Sequence, residues 1–341
     1  MHSEGSDQKP QSEETTQGIQ GVAPNVSAGA SSEQSQQALT AEQRREAVLA
    51  AQRRRAEIEA ARRRQALKKS LNEELGALHA RAIYSRTRNH LFYDSKAVEL
   101  ASRRGISLSD KGDAPALSRT EIAHIVIMDQ LVNEFVHQNP YATVVNLGCG
   151  FDTRCYRTGT GTMRWYNLDI PPLIARRTRL MPETRRISSI ARAVTDPTWP
   201  SEVVGSLMGT QLSLGSDGVS VAEPIGEVLI IIDNLVTRLT EEQAGRVFSV
   251  IDRGFEHATL LVTIASPLEQ PRGRGEQGPA AAGKWGVASA DELCNRLAWQ
   301  FKPVREVSTV EGMREMGPMF KVAAMLPGVQ RMAQKIAVIK K

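Results

Sequence analysis

Four short apolar segments, each followed by a glycine or an acidic residue, constrain the fold of this chain more than any other feature. They are Thr143–Leu147, Arg164–Leu168, about Ile187–Val194 and Glu227–Ile232. Short apolar runs that are rich in Val, Leu and Ile are typical of strands buried inside a sheet. Because helical segments separate these strands, the pattern predicts a parallel sheet with helices on both faces.

The neighbouring segments extend the same pattern. A helix is predicted over about 119–138, where apolar residues recur at helical spacing until Pro140. The Gly- and Ser-rich residues 205–226 predict a surface loop. The elements predicted after the fourth strand are a helix at 240–253, a strand at Thr259–Ile264, a helix at 289–299, and strands at 302–307 and 335–339.

The first 76 residues differ in composition from the rest of the chain. Residues 1–39 are rich in Ser, Gln, Glu, Thr and Gly and contain no aromatic residue, which predicts a disordered tail. Thr40-Ala41-Glu42-Gln43 then has the form of a capping box, and no Gly or Pro follows until Gly76. We therefore predict a solvated basic helix over residues 40–76 and a folded domain over residues 77–341.

The positive charge of the chain is concentrated in this helix. The net charge is +5, yet residues 41–70 alone carry eight Arg and two Lys against four Glu. A solvated spacer is the simplest interpretation, and contact with RNA, anionic lipid or an acidic partner is the alternative. No aromatic residue is interleaved with the arginines, so a platform for base stacking is missing and nucleic acid is not the expected partner.

Other sequence features predict a soluble cytoplasmic protein. No run of ~18 apolar residues is present that could span a membrane. The N-terminal residues lack the apolar core of a secretory signal. Cys149, Cys155 and Cys294 are too few for a disulfide framework and lack paired metal-ligand spacing. We therefore expect a reducing compartment and no metal site.

The chemistry is expected at the carboxyl ends of the strands, where sheets of this kind bind ligands. Gly148 and Gly150 follow the first strand, and glycines there let a ligand approach the backbone. Asp169 ends the second strand, where a carboxylate can accept hydrogen bonds from both ribose hydroxyls. Asp152 lies in the glycine turn, where it would repel a pyrophosphate but suit a cation. This charge favours S-adenosylmethionine, with its sulfonium and ammonium groups, over NAD and a dehydrogenase.

The chain also carries the pattern of a known family. The matching stretches are, in order, Thr143–Arg157, Trp165–Pro171 with Arg176 and Arg177, Val194–Trp199, Lys284-Trp285-Gly286 and Lys335–Lys340. Together they resemble the leucine carboxyl methyltransferase family, in particular its bacterial branch for polyketide O-methylation. The resemblance covers roughly residues 77–341, and it excludes the basic helix and the tail.

The resemblance implies a fold, a cofactor and a set of residues. The fold is a Rossmann-like class I methyltransferase domain, with a seven-stranded, mostly parallel sheet, helices on both faces and an N-terminal helical lid. The cofactor is S-adenosylmethionine. The residues implied in binding it are Arg119, Gly148, Gly150, Asp152, Asp169, Val194, Asp196 and Asp233.

Two of these residues have a structural alternative. Arg119 would hold the methionine carboxylate, but an arginine at the start of a helix is often simply exposed. Asp196 would lie beside the adenine, but an aspartate before Pro197 can also be a helix cap. Arg81 matches, more loosely, a basic residue near the cofactor or the acceptor.

The end of the fourth strand departs from the family pattern. The family has Glu-Gly and, some residues later, Tyr-Leu, where this chain has Asp233-Asn234 and Arg238-Leu239. The aspartate keeps the negative charge on a shorter side chain, whereas an arginine in place of tyrosine changes the acceptor side. The cofactor site is therefore predicted to be intact and the acceptor site to be altered.

The resulting prediction is an O-methyltransferase that acts on a carboxyl or hydroxyl group of a small molecule. The alternatives are a protein C-terminal carboxyl methyltransferase and a non-catalytic scaffold that binds cofactor and uses the basic helix to hold a partner. A carboxylate acceptor is ionised at neutral pH and needs no base, whereas a hydroxyl acceptor benefits from one. His90, Asp94 and His124 are candidates for that base, and none is assigned.

Overall fold

The computed structural model describes residues 41–103, 116–159, 161–210, 226–265 and 286–341. The predicted tail, residues 1–39, lies outside the described residues, as do Lys284 and Trp285. The chain divides into two compact units, Met1–Arg64 and Gln65–Lys341. No helix in the described part combines the length and apolarity needed to cross a bilayer.

The N-terminal helix α1 spans Ala41–Tyr84. Its described side chains up to residue 59 are all exposed, which includes Val48 and Ile58, so this stretch is solvated. The helix does not stop at Gly76, because Leu78 and Ala82 are buried in an apolar cluster of the second unit. The domain boundary drawn at residue 77 stays a prediction.

A seven-stranded sheet forms the centre of the second unit. Its strands are β1 Thr143–Leu147, β2 Arg164–Asp169, β3 Ile187–Ala191, β4 Val228–Ile232, β5 Thr259–Ile264, β6 Lys302–Ser308 and β7 Lys335–Lys340. Their order across the sheet is β3-β2-β1-β4-β5-β7-β6. Strands β1 to β5 are parallel, and β7 is antiparallel to both β5 and β6. The predicted seven-stranded, mostly parallel sheet is therefore confirmed.

Helices cover both faces of the sheet, as predicted. The further helices are α2 Ser95–Arg103, α3 Arg119–Gln138, α4 Arg154–Arg157, α5 Pro171–Leu180, α6 Trp199–Thr210, α7 Glu241–Gly254, α8 Ala290–Leu297, α9 Val310–Met313, α10 Pro318–Met325 and α11 Pro327–Met332. On one face, Val144 and Leu229 pack with Met128 of α3. On the other face, Val145 and Ile230 pack with Phe248 of α7. Because successive side chains of a strand point to opposite faces, the strands contribute to one apolar layer on each face of the sheet.

One local prediction was wrong. Residues 205–210, placed in a surface loop, form the end of α6. Trp199 and Val203 are fully buried in the core, and this burial stabilises a helix that the Gly- and Ser-rich composition does not indicate. Residues 211–225, the rest of that loop, lie outside the described residues.

Candidate functional site

A cavity of about 780 Å³ opens at the carboxyl ends of β1 and β4. The strand order reverses beside β1, since β2 and β4 flank it, so the cavity lies at the switch point where such sheets bind ligands. Gly148, Asp152 and Asp233 are among the predicted residues that line it. Three of the eight residues predicted from the sequence thus line the cavity.

The turn after β1 depends on its two glycines. Gly148 has φ +63° and Gly150 has φ +44°, a left-handed conformation that disfavours residues with a side chain. The Gly150 amide donates to Asp169 Oδ2 at 2.9 Å, and Arg177 Nη1 donates to the Gly150 carbonyl at 3.0 Å. Gly150 does not line the cavity, but its amide and its carbonyl are both held by neighbouring side chains.

Asp169 occupies the predicted place at the end of β2. Its carboxylate also accepts from the Ile170 amide at 2.7 Å, and its residue is 9% exposed. Burial raises the pKa of Asp169, and the two backbone hydrogen bonds partly oppose that rise. The carboxylate is thus held at the edge of the sheet by two amides, and no described cation forms an ion pair with it.

A buried arginine connects the glycine turn to the two neighbouring segments. Arg154 on α4 donates to Asp129 at 2.8 Å, to Asp152 at 2.7 Å and to Asp233 at 3.0 Å. Only 3% of its side chain is exposed. Its guanidinium therefore fixes α3, the turn and the end of β4 relative to one another.

A second arginine extends this network to α2. Arg157 on α4 donates to Asp129 at 3.1 Å and to Asp94 at 3.3 Å, and Asp94 also accepts from Arg81 Nε at 3.1 Å. Asp94 is fully buried, and its other carboxylate oxygen accepts from the Ala97 amide at 2.9 Å. We call Asp94, Asp129, Asp152, Asp233 and the arginines 81, 154 and 157 the ion network.

The ion network neutralises the acids that the sequence placed at the strand ends. Burial by itself raises the pKa of Asp152, but the charges of Arg154 and Arg157 outweigh it and lower that pKa to about 2. The carboxylate that was expected to attract a cation is therefore already paired. The negative charge that a ligand meets therefore depends on the carboxylates outside the ion network.

The charges around the cavity nevertheless leave a negative balance. The carboxylates in or directly behind the cavity belong to Glu74, Asp94, Glu121, Asp129, Asp152, Asp169 and Asp233. The guanidinium groups belong to Arg81, Arg154, Arg157, Arg177 and Arg238. Seven carboxylates against five arginines leave two negative charges, not counting His124, which favours a cationic ligand.

Asp233, at the end of β4, is saturated with hydrogen bonds. It accepts from Thr263 at 2.9 Å and from Arg154, and its Oδ1 lies 2.7 Å from His124 Nε2. Burial by itself raises the pKa of Asp233, but His124 and Arg154 lower it well below its usual range. The other ring nitrogen of His124, Nδ1, is buried without a hydrogen-bond partner among the described residues.

Helix α1 contributes two charged residues to the cavity. Arg81 donates through Nη2 to the Phe151 carbonyl at 2.8 Å, in addition to its bond with Asp94. Glu74 accepts from the Phe151 amide at 3.2 Å and lies 3.4 Å from Arg238 Nη1. Glu74 belongs to the segment predicted as a solvated helix, and nothing in the sequence singled it out.

The side of the cavity away from the turn is apolar. We call the segment 310–334, which lies between β6 and β7, the outer wall. Its cavity-lining residues include Val310, Met313, Val329 and Met332. Leu117 and Ile125, around the start of α3, add to this apolar lining. The sequence prediction contained no element in the outer wall.

Besides Gly150 and Asp169, three more predicted residues do not line the cavity. Arg119 is exposed at the start of α3, with its guanidinium 5.0 Å from the centre of the Phe320 ring. Asp196 accepts from the Thr198 amide at 2.9 Å just before α6, and Val194 packs against the core. None of the three lines the cavity, so their roles in cofactor binding stay predictions.

The order and direction of the strands identify the class of fold. A central β1 flanked by β2 and β4, with β7 antiparallel between β5 and β6, is the strand arrangement of class I methyltransferase folds. Residues 74–195 match the model of the leucine carboxyl methyltransferase family. The resemblance seen in the sequence is therefore confirmed over this segment, which contains β1, β2 and the glycine turn.

One characterised relative is the tetracenomycin polyketide synthesis O-methyltransferase TcmP of Streptomyces glaucescens. It is 31% identical over 126 residues, which is 37% of this chain and 47% of that protein. The match thus spans about half the length of the relative.

Solved structures that match this chain do so at lower sequence identity. A putative methyltransferase from Thermobifida fusca is 14% identical, with a TM-score of 0.44 over 72% of this chain and 87% of that one. The magnesium protoporphyrin IX methyltransferase of Synechocystis is 12% identical, with a TM-score of 0.37 over 73% of this chain and 95% of that one.

Proposed function

We propose that this protein is an S-adenosylmethionine-dependent O-methyltransferase whose acceptor is a small molecule. The observation that carries the proposal is the juxtaposition of the glycine turn with Asp169 at the switch point of the sheet. A ribose diol is a good match for Asp169, because its carboxylate is fixed by two amides and keeps lone pairs for hydroxyl donors. The negative balance of charge around the cavity supports a cationic cofactor over a pyrophosphate.

Arg81 is our choice for the residue that faces the carboxylate of the cofactor. It lines the cavity and is positioned by Asp94 and the Phe151 carbonyl, whereas Arg119 stacks on Phe320 outside the cavity. Asp152 and Asp233 then act mainly through the ion network that shapes the turn. Asp196 and Val194 remain candidates for the adenine side, because they follow β3 at the adjoining sheet edge.

When bound, the cofactor would supply a methyl group on a sulfonium, and a neutral thioether would be the leaving group when an acceptor oxygen takes the methyl carbon. The protein then has to align the acceptor, exclude water and leave the reacting oxygen unprotonated. The apolar outer wall suits the body of a small acceptor. The contrast between this wall and the charged ion network orients that acceptor.

The pair His124 and Asp233 supports a hydroxyl acceptor. Of the three candidate bases, His124 lines the cavity, Asp94 is buried between arginines, and His90 is exposed, with Nδ1 2.9 Å from the Thr87 carbonyl. With Nε2 directed at Asp233, Nδ1, which has no partner among the described residues, is the nitrogen that would accept the proton of a hydroxyl group. We therefore favour a hydroxyl over a carboxyl acceptor, with His124 as the base.

Calorimetric titration tests the cofactor. Purified protein should bind S-adenosylmethionine and S-adenosylhomocysteine and should not bind NADH. Tight NADH binding without binding of either sulfur compound would overturn the proposal and favour a dehydrogenase.

A screen of phenolic and carboxylic metabolites for methyl transfer tests the acceptor. His124→Gln should abolish most activity on a phenol and leave S-adenosylhomocysteine affinity within about threefold, because the loss of a general base typically costs about 10²–10⁴ in rate. Equal activity of His124→Gln and wild type would remove His124 as the base. Cofactor binding without any methyl transfer, even to peptide C-termini, would favour the scaffold.

A further inference from the structure

Glu74 on α1 covers the glycine turn from the side of the cavity. A Cβ atom added at Gly150 would overlap the Glu74 carboxylate. This carboxylate therefore occupies the space that is open because Gly150 has no side chain. One carboxylate oxygen accepts from the Phe151 amide at 3.2 Å. The carboxylate thus lies against the backbone where a ligand of the turn is expected.

The contacts that hold Glu74 are few and long. Its other partner is Arg238, at 3.4 Å, and 64% of the Arg238 side chain is exposed. In the ion network beneath it, by contrast, Arg154 makes three ion pairs of 2.7 to 3.0 Å with only 3% of its side chain exposed. Because the Arg238 end of this pair is exposed, solvent screens it, and displacement of Glu74, whose own side chain is 19% exposed, breaks one screened ion pair and one long hydrogen bond.

We propose that Glu74 competes with the cofactor for its binding site. This inference rests on the function proposed above. Its carboxylate occupies the Phe151 amide and the face of Gly150 until the amino-acid end of the cofactor displaces it. Arg238 is the group that keeps the displaced carboxylate close to the site. The wild-type affinity for cofactor is therefore lower than the geometry of the turn alone would allow.

The structure of α1 makes this proposal testable without loss of the fold. Alanine is the most favourable residue in a helix, and the Glu74 side chain is not buried in an apolar cluster. Its neighbour Glu73 offers a matched control, because its side chain is 64% exposed, pairs among the described residues with Lys69 alone, at 3.8 Å, and does not line the cavity. Both substitutions remove one carboxylate from the same turn of the helix.

The experiment is calorimetric titration of the full chain with S-adenosylhomocysteine. Glu74→Ala should bind it about three- to tenfold more tightly than wild type, because the lost contacts are a long hydrogen bond and an ion pair with an exposed arginine. Glu74→Gln, which keeps the shape without the charge, should fall between the two. Glu73→Ala should bind like wild type.

The outcomes separate this inference from the proposed function. If wild type binds and Glu74→Ala binds no more tightly, the inference is wrong and the proposed function stands. Weaker binding by Glu74→Ala would make Glu74 a direct contact of the ligand instead of its competitor. If neither protein binds S-adenosylhomocysteine or S-adenosylmethionine, the proposed function fails, and the inference fails with it.

Discussion

The two sides of the cavity are built in opposite ways. The floor is the ion network, in which Arg154 is buried and bonded to three carboxylates from three segments. The outer wall consists of short helices, and of its two cavity-lining methionines Met313 is half-buried and Met332 is 38% exposed. A floor fixed by charge defines one geometry, whereas a wall of flexible methionines adapts to different shapes. The half that we assign to the cofactor is therefore rigid, and the half that we assign to the acceptor is adjustable.

The largest expected effect is the loss of the arginine at the centre of the floor. Arg154→Met should lower the free energy of unfolding by about 3–5 kcal/mol, because it removes the buried cation that three carboxylates share. Urea unfolding measures the change. Arg246→Met, which removes an exposed pair with Glu242 on α7, is the matched control and should cost less than about 0.5 kcal/mol. Equal losses in the two variants would show that the floor is no more rigid than the surface.

The next effect concerns Asp169, which lies outside the ion network beside the glycine turn. Asp169→Ala should weaken S-adenosylhomocysteine binding by roughly 10–100-fold, since a charged hydrogen bond contributes about 1.5–3 kcal/mol. Titration calorimetry measures the affinity, and circular dichroism checks the fold. Asp291→Ala, on the exposed start of α8, should bind like wild type. An unchanged dissociation constant for Asp169→Ala would remove this residue from the site.

The floor should also be sensitive to acid. The pKa of Asp152 is about 2 in the folded protein, below its ordinary value of 3.8, so its contribution to stability is full above pH 3.8. That contribution, about 2 kcal/mol, is lost as the pH falls from 3.8 through 2, where the folded protein takes up the proton. Asp152→Asn should therefore lose less stability than wild type over this range in urea titrations. Parallel acid profiles would contradict the assignment.

The smallest effect belongs to the outer wall. Met325→Ser should change the free energy of unfolding by less than about 0.5 kcal/mol, because the side chain is mostly exposed. Met128→Ala, at a fully buried methionine of α3, should cost about 2–5 kcal/mol. Thermal unfolding distinguishes the two. A large loss for Met325→Ser would mean that this part of the wall is packed as tightly as the core.

The contrast between floor and wall also explains what the sequence could predict. The bounds of β1 and β5 were predicted correctly, because strands buried on both faces appear as unbroken apolar runs. The outer wall was not predicted, since its helices are short and half exposed and lack a strong period.

The site was predictable only in part. Gly148 and Asp169 follow directly from the ends of strands, so a rule on parallel sheets is enough to find them. The contact between His124 and Asp233 joins residues 109 positions apart, and Glu74 reaches the turn across 77 positions. Such contacts depend on how helices pack on the sheet, which local patterns do not encode.

The position of β7 has a consequence for the order in which the sheet is assembled. β6 precedes β7 in the chain, yet its ladder in the described sheet is with β7 alone, and β7 in turn joins it to β5. During synthesis, β6 therefore leaves the ribosome before the strand that gives it a place in the sheet. Until Lys335–Lys340 arrives, the edge of β5 is open to pairing with any other extended chain. The parallel half can form early, and the nascent protein is exposed to misassembly for as long as its last strand is missing.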